Sequence, residues 1–383
     1  MDFDRIYQRR NTDSIKWNTY PEDVLPMWIA DMDFRSPEPV IKALHERVDH
    51  GIFGYGCPPQ GLKEAIANHL AKRQNWQVDH EEISFISGVV TGFSHAVYSF
   101  TEPGDRIMFQ TPAYPPFLSL PESTGREALF NELVQGEDGK YYIDFDDFAK
   151  KAASGVKLFI LCNPQNPSGR VFSREELMRM AEICLDNDVV ICSDEIHADL
   201  VYSESQHIPI ASLSPEISDQ TVTYFAPSKT FNIAGFSTSV YVATNPEIRE
   251  RLAKSMCMLL GHPNILGLQA ALAAYHEGGE WLDEVLGYLQ SNRDYLADFV
   301  ASELDGIQMW KPEGTYLGWL DCRDLDLDES PYQFFLDKAK VGLNDGLRFG
   351  EPGRDFVRMN FGCPRPVLEQ ALNRMRSALV NRN

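Results

Sequence analysis

The chain has 383 residues, of which 43% are hydrophobic, so it is long enough for a large domain and a smaller one. It carries 35 basic and 56 acidic residues, and the net charge of −21 argues against nucleic acid or an anionic membrane as a partner. No stretch approaches the ~18 consecutive apolar residues of a transmembrane helix, and the amino terminus lacks a signal-peptide pattern, so a soluble cytoplasmic protein is expected.

The cysteine and histidine patterns argue against disulfides and metal sites. The seven cysteines are an odd number without a Cys-x-x-Cys pair, so we expect free thiols in a reducing compartment. The nine histidines show no zinc-type spacing, so no metal is expected. The sequence has neither a P-loop nor a Gly-x-Gly-x-x-Gly fingerprint, which weakens the case for a nucleotide cofactor.

The first part of the chain is predicted to be an arm followed by helices. Residues 1–37 are expected to be extended with turns. Pro39 opens a predicted helix that ends near Asp49, because apolar residues then recur at helical spacing. The glycine-rich stretch 51–56 is predicted to be a loop, and 61–73 a further helix.

From residue 83 the pattern becomes strand, loop and helix, repeated. Helix 89–100 follows the first strand, and a later helix begins at Ser173 and Glu176, which have capping-box spacing. The apolar runs are continuous rather than alternating, which indicates strands covered on both faces, as in a parallel α/β sheet. The predicted strands are 83–87, 106–110, 156–162, 189–192, 221–226 and 239–243.

The last hundred residues are predicted to form a second lobe of mixed helices and strands. It contains a long helix, 281–304, short strands at 314–321 and 356–361, and a closing helix after Pro366. We therefore predict an α/β fold with a large domain and a smaller α+β domain. The predicted large domain is 46–284, and the small domain combines 1–45 with 285–383.

Four of the predicted strands lead to residues that can carry chemistry. Tyr114, Asn166, Asp194 and Lys229 follow strand ends, where open α/β sheets bind ligands. Asp194 directly follows an apolar run, so its carboxylate is poorly solvated unless it meets a cation. A lysine stripped of water holds its amine neutral and becomes nucleophilic. Taken singly, each residue has a structural alternative: a loop lysine, an Asn-Pro turn or a helix-capping aspartate.

Taken together, these groups suggest pyridoxal phosphate (PLP). An amine, a carboxylate for the pyridinium nitrogen and an amide for the phenolate oxygen are the groups that this cofactor requires. Its phosphate needs backbone N–H groups at a helix N-terminus, which Val89 and Val90 supply after Gly88.

Three motifs resemble the class I/II aminotransferase family of fold-type I PLP enzymes: Asn166-Pro167-Ser168-Gly169, Asp194-Glu195-Ile196-His197 and Ser228-Lys229-Thr230-Phe231-Asn232. Three others resemble the MalY/PatB-type cystathionine β-lyases (cysteine-S-conjugate β-lyases): Pro26-Met27-Trp28-Ile29-Ala30-Asp31-Met32-Asp33-Phe34, Phe53-Gly54-Tyr55-Gly56 and Arg358-Met359-Asn360-Phe361-Gly362-Cys363-Pro364-Arg365. The resemblance covers nearly the whole chain.

The resemblance implies a role for each matching residue. Lys229 would bind PLP and move the substrate Cα proton, Asp194 would pair with the ring nitrogen, and Asn166 would bind the ring hydroxyl oxygen. Tyr114 would stack on the ring, and His197 is expected to contact the cofactor. The amides of Val89 and Val90, with Ser228, would hold the phosphate.

The resemblance also implies a homodimer with its active site at the subunit interface. Tyr55 would reach the phosphate of the neighbouring subunit, and Arg358 would bind the substrate α-carboxylate with the Ala30 backbone nearby. Tyr55 and Tyr114 are candidates for protonating the leaving thiolate. Read from the residues alone, Arg358 among apolar strand residues calls for an anion, with an internal salt bridge as the alternative.

The sequence departs from the family's aminotransferases at three positions. Ser237 stands where many have an arginine for the phosphate, Ala226 where a serine is frequent, and His197 where the aspartate-type enzymes have a tyrosine. These departures leave more of the phosphate binding to backbone amides and Tyr55, which favours the lyase branch.

The expected function is a PLP-dependent carbon–sulfur β-lyase that cleaves L-cystathionine or related cysteine S-conjugates. The products would be a thiol (homocysteine from cystathionine), pyruvate and ammonia. The alternatives are an aminotransferase on the same scaffold and a PLP-binding regulatory protein with weak lyase activity.

Overall fold

The computed structural model describes residues 1–256 and 261–382. Its α-helices are α1 (Ile15–Asn18), α2 (Glu38–His50), α3 (Leu62–Gln74), α4 (Val89–Phe100), α5 (Pro115–Thr124), α6 (Phe145–Ala152), α7 (Arg174–Asp186), α8 (Pro215–Asp219), α9 (Pro227–Thr230), α10 (Pro246–Met256), α11 (Ile265–Glu277), α12 (Gly279–Glu303), α13 (Pro331–Phe334) and α14 (Arg365–Val380). Its strands are β1 (Leu25–Pro26), β2 (Ile83–Ile86), β3 (Arg106–Thr111), β4 (Glu127–Gln135), β5 (Tyr141–Ile143), β6 (Val156–Cys162), β7 (Val190–Asp194), β8 (Thr221–Phe225), β9 (Ser239–Val242), β10 (Leu317–Asp321), β11 (Val341–Gly342), β12 (Asn344–Asp345) and β13 (Phe356–Asn360).

A large mixed sheet forms the centre of the fold. Within the described residues it has eight strands in the order β2-β9-β8-β7-β6-β3-β4-β5. Strands β8, β7, β6, β3 and β4 pair in parallel, while β9 and β5 run antiparallel to their neighbours. Because β2 pairs antiparallel with β9, it runs in the same direction as the parallel strands. The predicted α/β class with a mostly parallel sheet is confirmed.

The prediction missed one edge of this sheet. Strands β4 and β5 were not predicted, because their buried and exposed residues alternate and β4 includes Glu127 and Glu132, so no continuous apolar run marks them. The prediction also ended the fourth strand at Cys192. In the structure Asp194 is the last residue of β7, where it pairs with Cys162 of β6 and Tyr224 of β8.

The sequence analysis predicted some of the observed helices and missed others. Helices α5, α6, α10 and α11 were not predicted. The predicted helix 89–100 has the observed bounds, and the predicted capping box is present, since Ser173 accepts from the Glu176 N–H at 3.2 Å and Glu176 accepts from the Ser173 N–H at 2.8 Å.

The carboxyl-terminal part contains a small antiparallel sheet in the order β10-β13-β12. Arg358 lies at its centre, opposite Trp319 of β10 and Asn344 of β12. Strand β1 of the amino-terminal arm pairs in parallel with β11 in this region. The boundary placed between 284 and 285 falls inside α12, and the division into domains stays a prediction.

The described cysteines are Cys57, Cys162, Cys184, Cys192, Cys322 and Cys363, and all of them are free. Cys257 lies outside the described residues. No helix within the described ranges combines the length and the apolar composition needed to span a membrane.

Candidate active site

Four adjacent strands bring the predicted residues to one edge of the large sheet. Strand β8 precedes Lys229, β7 ends in Asp194, β6 precedes Asn166 and β3 precedes Tyr114. These strands are parallel neighbours in the order β8-β7-β6-β3, so their carboxyl ends face the same side. The geometry is the one in which open α/β sheets bind ligands.

Asp194 is a buried acid without a cationic partner at hydrogen-bond distance. Its side chain is 4% exposed, accepts one hydrogen bond from the Ile196 N–H at 3.1 Å, and lies 3.9 Å from the Cys162 Sγ. Within the described residues it forms no salt bridge, and it does not cap a helix. Burial raises the pKa of Asp194 to about 7, an effect that the nearby Lys229 charge only partly opposes.

Lys229 lies at the first turn beyond β8 and is partly buried. Its Nζ donates to the Ala30 carbonyl at 2.5 Å. Burial, aided by the Arg358 charge, lowers the pKa of Lys229 to about 8, although the Asp31 and Asp194 charges act in the opposite direction. The amine is therefore far easier to deprotonate than an ordinary lysine, as a nucleophile or base requires.

Arg358 is buried without an anionic partner in the described residues. Its guanidinium donates to the side-chain oxygens of Asn166 at 2.8 Å and Asn344 at 2.6 Å, and to the Trp28 carbonyl at 3.2 Å. Its Nε has no hydrogen-bond partner among the residues that the structure describes, and its guanidinium carbon lies 4.8 Å from the centre of the Phe349 ring. Burial lowers the pKa of Arg358 to about 10. The internal salt bridge considered above is thus not formed.

Two aromatic side chains complete the walls around these groups. Tyr114 is partly buried, and burial raises the pKa of its hydroxyl, with the Asp194 charge acting in the same direction. His197 is 2% exposed, and its ring meets the Tyr316 ring edge to face at 5.9 Å, whereas its Nδ1 has no hydrogen-bond partner in the described part of the chain. Burial and the charges of Lys229 and Arg358 lower the pKa of His197, so its imidazole is neutral.

The segment 29–34 crosses the site and positions the Ala30 carbonyl. Besides the hydrogen bond from Lys229, this carbonyl accepts one from the Tyr316 hydroxyl at 3.0 Å. Asn360 donates to the carbonyls of Ile29 at 2.6 Å and Asp31 at 2.7 Å. The roles of Asn344, Tyr316 and Asn360 were missed by the sequence analysis, because an Asn-Asp-Gly sequence is typical of turns and the other two lie in strand-like runs.

A buried ion cluster fixes the same segment from the amino-terminal arm. Lys16 is fully buried, and its Nζ binds Asp33 Oδ2 at 2.7 Å and the Asp31 carbonyl at 3.1 Å. Arg9 contacts Asp33 Oδ1 at 2.6 Å, and the Trp17 Nε1 donates to the same oxygen at 2.7 Å. The paired aspartates of the sequence motif are therefore structural anchors.

The amino terminus of α4 faces the same edge of the sheet. Gly88 turns the chain from β2 into α4 with a φ of 105°, a conformation that a side chain would strain. The first N–H groups of a helix have no partner within it, so those of Val89 and Val90 are suited to an anion. Val89 is buried and Val90 is 44% exposed.

Tyr55 lies at the surface of this single chain. It is fully exposed, and in the described part of the chain it forms no hydrogen bond or ring contact. It lies in the loop between α2 and α3, as predicted, with exposed neighbours Ile52 and Phe53.

The buried polar groups of the site fit pyridoxal phosphate together with an amino-acid substrate. Asp194 needs a cation, which a protonated ring nitrogen would provide. Arg358 needs an anion, which an amino-acid carboxylate would provide with bidentate geometry. The unpartnered Nδ1 of His197 and Nε of Arg358 are buried polar atoms that call for further hydrogen bonds.

Comparisons with known proteins give independent evidence on the family and the fold. A family model described as aminotransferase class I and II matches residues 22–375. The chain is 44% identical to cystathionine beta-lyase PatB of Bacillus subtilis, covering 99% of this chain and 100% of PatB, and 35% identical to cystathionine beta-lyase of Corynebacterium glutamicum, covering 99% and 100%. Cystalysin of Treponema denticola, whose crystal structure contains pyridoxal 5'-phosphate, matches with a TM-score of 0.96 at 34% identity, covering 100% of this chain and 99% of cystalysin. The chain belongs to the aminotransferase class I and II family.

Proposed function

We propose that this protein is a PLP-dependent carbon–sulfur β-lyase that cleaves L-cystathionine or related cysteine S-conjugates to a thiol, pyruvate and ammonia. The observation that carries the proposal is the convergence of a lysine of lowered pKa with a buried acid and a buried arginine, neither of which has an oppositely charged partner among the described residues. The names of the relatives, PatB and the Corynebacterium glutamicum enzyme, support the lyase over the aminotransferase.

The residues predicted to bind the cofactor each have a separate task. Lys229 would bind it, Asp194 would keep its ring nitrogen protonated, and Asn166 would bind its ring hydroxyl. Tyr114 and His197 would contact the ring. The amides of Val89 and Val90, together with Ser228, would bind the phosphate. When bound, PLP supplies an electron-withdrawing ring that stabilises negative charge at the substrate Cα.

The protein's own groups then manage the substrate and its protons. Arg358 orients the substrate by its α-carboxylate, and the amides of Asn166 and Asn344 hold the guanidinium in position. Lys229 in its neutral form accepts the Cα proton, which its lowered pKa permits near neutral pH. As the Cβ–S bond breaks, the departing thiolate takes a proton from a neighbouring donor, for which Tyr114 and Tyr55 are candidates.

The proposed active unit is a homodimer in which Tyr55 reaches the phosphate of the other subunit. Tyr55 is fully exposed, and the apolar residues Ile52 and Phe53 are 67% and 57% exposed, which supports this arrangement because exposed apolar side chains are stabilised when a second surface covers them. Ser237 in place of an arginine leaves the phosphate short of a cation, which makes a hydrogen bond from Tyr55 more valuable. We also assign the protein to the cytoplasm, which the free cysteines support.

One assay separates the lyase from the aminotransferase. The purified protein with PLP should release pyruvate and free thiol from L-cystathionine without any added keto acid, and Lys229→Ala should abolish this release. A requirement for a keto acid, with a pyridoxamine product, would instead establish an aminotransferase. Full activity of Lys229→Ala would refute the assignment of the site.

A further inference from the structure

The Asn232 side chain joins the turn that carries Lys229 to the amino-terminal segment that crosses the site. Its Oδ1 accepts from the Met32 N–H at 3.1 Å, and its Nδ2 donates to the carbonyls of Met32 at 3.0 Å and Phe34 at 2.7 Å. The Ser36 hydroxyl donates to the Asn232 carbonyl at 3.0 Å. The side chain thus exchanges two hydrogen bonds with Met32, as a residue of a paired β-strand does.

The backbone at Asn232 is suited to this contact. Its φ is 55°, in the left-handed region, which asparagine adopts more readily than most residues that have a side chain. A glycine would tolerate the same backbone but would lose all three hydrogen bonds of the side chain. Position 232 therefore combines a left-handed backbone with an amide that pairs with the backbone of another segment.

The turn that carries Lys229 is fixed from the side of α3. Thr230, the next residue, donates through its hydroxyl to the Asp199 carboxylate at 3.0 Å, and the other oxygen of that carboxylate lies 2.8 Å from the His69 Nε2. The side chains of Asp199 and His69 are 8% and 7% exposed, so these bonds are shielded from water. The turn therefore keeps its own attachment when a contact of Asn232 is removed.

The segment that crosses the site is fixed from the side of β13. Asn360 of β13 holds the two carbonyls that flank Ala30 along the chain. The Ala30 carbonyl itself accepts the hydrogen bond from the Lys229 amine. Asn232 follows Lys229 by three residues and binds the segment two residues beyond Ala30, so it connects the two attached parts directly beside this hydrogen bond.

We propose that Asn232 is a positioning residue that holds the Ala30 carbonyl against the Lys229 amine. The inference rests on the role of Lys229 in the proposed function and deepens it. A carbonyl binds a charged ammonium more strongly than a neutral amine, so it stabilises the protonated lysine that forms when the amine accepts the Cα proton. A misplacement of about 1 Å is enough to weaken such an arrangement.

The first measurement is the rate at which the cofactor-free protein binds PLP as a function of pH, which does not depend on lyase activity. In Asn232→Gly the midpoint of this profile should fall by about half a pH unit, because losing the acceptor disfavours the charged amine. The charges that act on the amine are those of Asp31, Asp194 and Arg358, beside the neutral His197 imidazole, and the variant keeps all four side chains. Asp31 lies on the displaced segment, so its movement would lower the midpoint in the same direction.

The second measurement is steady-state kinetics with L-cystathionine. In Asn232→Gly kcat should fall about tenfold while KM changes less than about twofold, because Arg358 keeps its contacts with Asn166 and Asn344. Ser36→Ala removes only the hydrogen bond to the Asn232 carbonyl, so the midpoint and kcat should change in the same directions by smaller amounts.

The matched control is Asn75→Gly. Asn75 is exposed at the end of α3 and has a φ of 51°, so the same substitution is made in the same backbone conformation away from the site, and the midpoint and kcat should not change.

An unchanged midpoint or an unchanged kcat in Asn232→Gly would overturn the proposal, and so would equal changes in Asn75→Gly. Should Asn232→Gly fail to fold, Ser36→Ala decides, and an unchanged midpoint there would have the same meaning. Failure of the proposed function is distinguishable, because the wild-type protein would then release no pyruvate from L-cystathionine while the PLP-binding midpoints would still report on Asn232.

Discussion

Replacing Asp194 by asparagine should stabilise the cofactor-free protein at alkaline pH, although it removes a group that we assign to cofactor binding. The carboxyl is 4% exposed, with one backbone N–H donor and the Cys162 thiol as its polar contacts. Asparagine has nearly the same shape, can accept from the same Ile196 N–H and is neutral at every pH. The substitution therefore removes the cost of a buried charge with little change in packing.

The magnitude follows from the pKa of Asp194, which burial raises from 3.8 to about 7. Above pH 3.8 the unfolded chain loses a proton that the folded protein keeps, so the stability of the wild type falls as pH rises and levels off above about pH 7. At about 1.36 kcal/mol per pKa unit, the whole effect is about 4 kcal/mol, of which about 3 kcal/mol falls between pH 5 and pH 8. The asparagine variant lacks this loss.

The assay is urea unfolding of both cofactor-free proteins at pH 5 and pH 8. The advantage of Asp194→Asn in unfolding free energy should grow by about 3 kcal/mol between the two pH values. The control is Asp138→Asn, whose carboxyl is exposed and has a lowered pKa, so its variant should show no such gain. Parallel behaviour of Asp194→Asn and wild type would show that the buried acid is already compensated, and the argument for a cationic ligand would fail.

Three further predictions concern the other charged groups. The rate at which the cofactor-free protein binds PLP, measured by visible absorbance, should rise with pH through about 8. Burial lowers the pKa of Lys229 to about 8, and only its neutral amine is nucleophilic. A binding rate that does not change with pH would contradict this assignment of Lys229. Arg358→Lys should raise KM at least about tenfold, since an ammonium cannot reproduce the fork that also contacts Asn166; an unchanged KM would place the substrate elsewhere. Lys16→Met should lower the free energy of unfolding, measured with urea, by about 3 kcal/mol, because it removes one partner of the buried Asp33 carboxylate. A change below about 0.5 kcal/mol would mean that Arg9 alone is enough to neutralise Asp33.

The sequence was most informative where a residue's role depends on its own strand. Continuous apolar runs mark strands that are covered on both faces, and a polar residue at the end of such a run stands out. Lys229, Asp194 and Asn166 are of this kind, and their strands proved to be neighbours in the sheet. Edge strands such as β4 carry no comparable signal, because one of their faces is solvated.

Residues whose role depends on a distant segment could not be predicted. Asn344 matters because β12 and β13 pair and bring it to Arg358, and Tyr316 because it reaches a carbonyl 286 residues earlier in the chain. Lys16 looks like a surface lysine in the sequence, and only the folded arm shows that it is fully buried against Asp33. No local pattern encodes such contacts.

Three charged groups of the site form no salt bridge within the described residues, and they share one physical consequence. Asp194, Lys229 and Arg358 each have a pKa displaced by burial in the direction that disfavours the charged form. A chain that buries an acid and two bases without pairing them loses stability at each, and the loss is recovered only by a molecule that carries the complementary charges. In the proposed function, the protonated ring nitrogen of the cofactor would supply a cation for Asp194, and the substrate α-carboxylate would supply an anion for Arg358. On this proposal, the unfavourable placement of these charges would make the cleft specific for an amino acid bound together with the cofactor.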